Sequence, residues 1–257
     1  MNMGIRHTLT SIACAAVFSV GTHAMAAPLD LDDMSPADRA TFQAEIRAYL
    51  LENPEVIMEA IQILEERRQV AAQQADEQIV AQHAKALYED GFSYVTGNPD
   101  GDVTIVEFSD YRCGFCKRAH PMMEELVDRD PNVRVIVKEF PILGPDSVTA
   151  GKMALAAMDL EPEKFSELND RLMTHAGNLT EQAAYRIAGD VGYDIAALKT
   201  RAASSEIDDR LQRNYQLGQA LGVQGTPAFV IGSEVIRGFL PIEDMLAAIQ
   251  EARVESN

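Results

Sequence analysis

Two cysteines three positions apart, Cys113 and Cys116, stand where an apolar strand pattern gives way to a helical one. A thiol at a helix N-terminus faces unpaired backbone N–H groups and the positive end of the helix dipole. There its pKa falls from about 8.5 into a range of roughly 3.5–7.5. The thiolate is the nucleophile of disulfide exchange, and a second thiol one turn on can attack the first. The pair can therefore pass a disulfide to another molecule and take one back. Gly114 and Phe115 between them carry no charge, so backbone amides must supply most of the thiolate stabilisation. As a passive staple the pair would close too small a loop to stabilise much. Zinc wants four ligands and no second cysteine pair exists, so neither a metal nor a cofactor is expected. His120, one turn past Cys116, reads as an ordinary helix-surface histidine.

The surrounding chain sets the compartment. Arg6 and His7 precede an apolar run from about Leu9 to Val20, and Ala24-Met25-Ala26 offers a cleavage site, so residues 1–26 read as an export signal. The run is short of the ~20 apolar residues a spanning helix needs. Cys14 lies inside it and leaves with it, so Cys113 and Cys116 would be the cysteines of the mature chain. Forty acidic against 22 basic residues give a formal net charge of −18, which repels nucleic acid and anionic lipid. Neither nucleic-acid binding nor stable membrane insertion is expected.

Elements must position the thiols. Residues 27–90 read as helical. Ser35-Pro36-Ala37-Asp38 starts a helix carrying Phe42, Ile46 and Tyr49, and Asn53-Pro54 starts another with Ile57, Ile61 and Leu64. Beyond Leu64 the apolar stripe fades into Ala and Gln, a spacer with little to bury. Two uses remain open for the large apolar residues: self-association or an intramolecular cap. From residue 91 the pattern changes. Phe92–Val95 reads as a short strand, Gly97–Gly101 as a turn, and Val103–Phe108 as a strand buried on both faces. The cysteine helix, expected to kink at Pro121, leads to the strand Val133–Lys138. This βαβ unit implies parallel pairing. A helical block spans about residues 146–221. The strands Ala228–Ile231 and Glu234–Arg237 flank Gly232-Ser233 as a hairpin, and Pro241 opens a closing helix with Met245, Leu246 and Ile249 inward.

Strand, Cys-Gly-Phe-Cys-Lys, Pro121, a helical block, then Gly225-Thr226-Pro227 before a hairpin: residues 92–257 resemble the DsbA-like thioredoxin fold of periplasmic disulfide-bond proteins. The resemblance implies an α/β thioredoxin fold with a large helical insertion, occupying 91–257. It also implies that Cys113 is the exposed nucleophile, Cys116 the buried resolving thiol and Thr226-Pro227 a cis-proline loop where an extended client chain docks. Glu107, six positions before Cys113, matches the family's buried acid. A carboxylate in an apolar strand has a raised pKa and can relay a proton to the buried thiol. An edge-facing glutamate is the alternative, and Lys138 on the next strand is a candidate partner for it.

The N-terminal helices further resemble the oligomerising stalk of the suppressor-of-copper-sensitivity C (ScsC) branch, whose characterised members are disulfide isomerases. Together these imply a periplasmic thiol–disulfide oxidoreductase. It would act on exported, cysteine-containing clients as a homo-oligomer, with a trimer as one size, and be reset by a membrane or periplasmic redox partner. A monomeric disulfide donor is the nearest alternative. A copper-binding or chaperone module is a more distant one, since copper(I) accepts thiolates.

Overall fold

The structure is a computed structural model that describes residues 34–255; the export-signal segment 1–26 with Cys14 lies outside the described residues. The chain divides after Ile61 into two compact units.

In the first unit, Ser35 caps helix α1 (Pro36–Glu52), its hydroxyl accepting the Asp38 N–H at 3.2 Å, with Pro36 in the first turn. Asn53 closes α1 and α2 (Glu55–Tyr88) follows. α1 buries none of its residues, and Phe42, Ile46, Tyr49, Ile57 and Ile61 are exposed.

The second unit begins within α2, whose last turns bury Val80 and Leu87. The alanine-rich stretch expected as a spacer therefore ends in core residues. Then come β1 (Tyr94–Gly97), β2 (Val103–Ser109), α3 (Gly114–Arg129) and β3 (Val133–Glu139). The helical insertion comprises α4 (Pro145–Leu160), a short 3-10 turn, α5 (Phe165–Thr174), α6 (Glu181–Val191), α7 (Ile195–Ala202) and α8 (Ser205–Ala220). The hairpin β4 (Ala228–Ile231) and β5 (Glu234–Ile236), then α9 (Ile242–Glu255), complete the unit.

The strands form one sheet in the order β1-β3-β2-β4-β5. β2 and β3 run parallel from Val103↔Val133 to Ser109↔Glu139, as the βαβ pattern requires, and the other pairs are antiparallel. β1 starts later than expected. The carboxylate of Asp90 accepts the N–H groups of Phe92 and Ser93, which holds those residues in a turn ahead of the strand. β2 is the central strand and is covered on both faces, which explains its near-continuous apolar character. Ile105, Val135, Phe229 and Ile231 pack with Ala119, Met123 and Leu126 of α3 and with Met245 and Ile249 of α9. Val106, Phe108, Ile136 and Val230 pack on the other side with Val80, Leu87, Leu217 and Leu221. Pro121 sits inside α3, which continues through it to Arg129. Helices α4 to α7 of the insertion form a separate apolar cluster that takes in Tyr111, Cys113 and Cys116, so the cysteines lie where sheet and insertion meet.

Candidate active site

Cys113 is the N-cap of α3, with extended backbone (φ −75, ψ 118), and Gly114 is the first helical residue. Cys116 sits one turn in and is fully buried; both are free thiols. Cys113 is 7 % exposed, so the expectation of an openly exposed nucleophile is corrected. The reason lies in strand pairing. β4 runs antiparallel to β2, so Ala228 at its start meets Phe108 near the end of β2. That register sets Thr226 beside the turn carrying Cys113, and the Cys113 Sγ donates to the Thr226 carbonyl oxygen at 3.1 Å. The Thr226–Pro227 peptide is cis. Gly114 and Phe115 are exposed. The Phe115 ring stands 6.1 Å from that of Phe239, and the Arg118 guanidinium lies over both, 4.5 and 5.2 Å from their centres.

The two thiols are driven apart electrostatically. The Cys113 thiol is lowered from its ordinary value to about 5, chiefly by a hydrogen bond from the Cys116 thiol, with the Thr226 side chain and the backbone N–H groups of Cys116 and Phe115 adding. Burial opposes the shift. The Cys116 thiol is pushed up by that same hydrogen bond, by burial and by the Glu107 charge. One sulfur is therefore an ionised nucleophile while its neighbour holds its proton.

Glu107 shares the sheet face of Ile105, beneath α3, and is 5 % exposed, so the edge-facing alternative is set aside. Burial pushes its carboxyl up to about 7, with the Cys113 charge adding. Lys138 does not pair with it. In the parallel register Lys138 stands opposite Phe108 while Glu107 stands opposite Val137, so Lys138 projects from the other face. There its Nζ meets Asp90 Oδ2 at 2.6 Å. His120 is likewise more than a surface residue: its ring is mostly buried, with Nε2 3.2 Å from Asp170 Oδ1.

Three buried polar residues around the cysteines carry no spacing signal and are found only in the structure. Asp110 accepts the N–H groups of Arg112, Ile142 and Leu143, which ties the cysteine turn to the loop after β3. Its own carbonyl accepts the Cys113 N–H at 2.9 Å. The Tyr111 hydroxyl lies 2.8 Å from Glu139 Oε1 and 3.1 Å from Asn169 Oδ1. Burial holds the Glu139 carboxyl well above its ordinary range, and the Glu107 charge adds to this.

Comparison with known proteins agrees with this geometry. Residues 104–250 match the DSBA-like thioredoxin domain, and residues 38–71 match the Copper resistance protein ScsC N-terminal domain. A thioredoxin-like oxidoreductase from Silicibacter pomeroyi is 38 % identical, with a TM-score of 0.64, over 66 % of this chain and 97 % of its own. Proteus mirabilis ScsC in a transitional conformation is 29 % identical, with a TM-score of 0.64, over 86 % of this chain and all of its own (100 %). Among curated relatives, the thiol:disulfide interchange protein DsbA of Bordetella parapertussis is 29 % identical over 54 % of this chain and 70 % of its own. The chain spans only 24 % of Na(+)/H(+) antiporter NhaA 3 from Salinispora tropica, at 27 % identity over 62 % of this chain. The cysteine pair, the sheet that carries it and the match across residues 104–250 lead to one conclusion: the chain belongs to the DSBA-like thioredoxin domain family.

Proposed function

We propose that the protein is a periplasmic thiol–disulfide oxidoreductase that rearranges or reduces disulfides in exported, cysteine-containing clients, working as a homo-oligomer. The observation that carries the chemistry is the opposite shift of the two thiols at the N-terminus of α3, with Cys113 lowered to about 5 and Cys116 raised. The Cys113 thiolate attacks a client disulfide, forming a mixed disulfide and releasing one client sulfur as thiolate. For isomerisation a second client thiolate attacks the mixed disulfide and Cys113 leaves as thiolate. For reduction Cys116 loses its proton to Glu107 and attacks Cys113 Sγ, leaving the enzyme disulfide and a reduced client. A membrane or periplasmic partner then returns the pair to its dithiol form. The Thr226-Pro227 segment is the edge on which an extended client chain pairs.

Two observations support self-association. Phe42, Ile46, Tyr49 and Ile57 are exposed in the first unit, and the match to the ScsC N-terminal domain covers this segment. Gathering several active sites raises their effective concentration on one client. The export signal read at residues 1–26 supports a periplasmic setting, and no helix among the described residues is long and apolar enough to cross a membrane. Sedimentation of the mature protein tests the assembly. An oligomer is expected, with a monomer that oxidises thiols but no longer reshuffles them after deletion of residues 29–64. A mature protein that sediments as a monomer favours the disulfide-donor reading instead.

A further inference from the structure

α3 carries chemistry on a second face. His120 and Glu124, one turn apart, point toward Asp170 on α5. His120 Nε2 lies 3.2 Å from Asp170 Oδ1 and 3.8 Å from Glu124 Oε1, and the three ligand atoms fall within 4.8 Å of one another. Nitrogen and oxygen ligands about 2.0–2.1 Å from a tetrahedral zinc ion stand roughly 3.3 Å apart. The histidine–aspartate span already has that value, and the exposed Glu124 closes the rest by side-chain rotation. The histidine ring is pinned between two helices and only 14 % exposed, so it is oriented in advance.

A second observation is independent of these distances. The three residues line a cavity of about 390 Å³ that also reaches Glu107. Glu107 is 5 % exposed, and among the described residues Ser109, on the same strand face, is the side chain whose hydrogen bond bears on its carboxyl. Asp128 lines the cavity too, and neither lysine nor arginine does. Four carboxylates and one imidazole therefore face a space with no fixed positive charge, which attracts cations and repels anions.

We propose that His120, Glu124 and Asp170 bind one divalent cation of the zinc class, with the fourth position open to the cavity and facing Glu107. One imidazole with two carboxylates suits zinc. Calcium and magnesium take oxygen ligands, and copper(I) prefers sulfur. The site does not depend on the exchange reaction, so the two stand or fall separately.

The test uses the full mature chain with Cys113 and Cys116 joined as a disulfide, which removes thiolate ligands. Titration calorimetry with zinc chloride is expected to show one ion per chain. Cobalt(II) in its place should give tetrahedral d–d absorption without sulfur charge transfer. His120→Ala and Glu124→Gln are each expected to weaken zinc binding by about tenfold or more. Glu124 is exposed, so its replacement leaves the fold intact, and circular dichroism checks both variants. Absence of stoichiometric uptake, or wild-type affinity in either folded variant, overturns the proposal.

Discussion

The Cys113 sulfur lies 3.1 Å from the Thr226 carbonyl oxygen, to which its thiol form donates, across 113 residues of sequence. The nucleophile and the backbone edge proposed to receive a client are therefore one surface. The antiparallel pairing of β4 with β2 creates it, and four residues from Ala228 to Ile231 are enough to do so.

The thiolate has a measurable signature. Its pKa is lowered to about 5 from 9.0, so between those values the folded reduced protein binds fewer protons than its unfolded chain. Glu107 titrates in both redox forms, so the thiolate shows in their difference. The stability of the reduced form relative to the oxidised form should rise with pH from about 5 to 9 and lose that contribution as pH falls through 5. The oxidised form lacks the group. Urea unfolding of both forms at pH 4 and pH 8 checks this, alongside the pH dependence of Cys113 alkylation.

Glu107 behaves in the opposite sense. Its carboxyl is raised from 4.5 to about 7, so its folded form holds a proton the unfolded chain has lost. Its contribution is fully present below pH 4.5 and disappears as pH rises through 7. Glu107→Gln is thus expected to be more stable than wild type at pH 8 and little different at pH 4. If Glu107 also relays the Cys116 proton, the same variant should slow reduction at neutral pH and lose the inflection near 7. A pH–rate profile of client reduction separates the two effects.

Lys138 is fully buried, and Asp90 is its charged partner at 2.6 Å. Burial lowers the lysine pKa, and the Asp90 charge opposes that shift. Asp90→Ala leaves a buried charge uncompensated and should cost about 3–5 kcal/mol in denaturant unfolding. The double replacement Asp90→Ala/Lys138→Met should recover the part due to the uncompensated lysine but not the part due to the Phe92 and Ser93 N–H groups that lose their acceptor.

Gly218 lets α8 approach the core. A Cβ there would lie 2.4 Å from the Phe140 ring, which packs edge-on against Phe108 at 5.5 Å. Gly218→Ala should destabilise by about 1–3 kcal/mol through overpacking, measured by the shift in urea midpoint.

Much of this was legible in the sequence because it is local. Cys113 and Cys116 announce themselves by spacing, and Val103–Phe108 by an unbroken apolar run. Glu107 stands out as an acid inside that run. What stayed hidden joins residues far apart. The Tyr111–Glu139 contact spans 28 positions, and His120–Asp170 spans 50. No periodicity encodes such pairs. Strand adjacency alone makes Lys138 a candidate partner of Glu107, but the register places the two on opposite faces of the sheet. The resemblance implies an open Cys113, whereas the Thr226 carbonyl that meets its sulfur lies 113 residues away and leaves no local signal.

The central claim is that Cys113 and Cys116 exchange disulfides with clients. Recovery of activity from a scrambled disulfide-bonded substrate measures this directly, comparing the mature protein with Cys113→Ser. Turnover by wild type that falls to background in Cys113→Ser is the predicted result. Equal recovery in the presence of both proteins would contradict it.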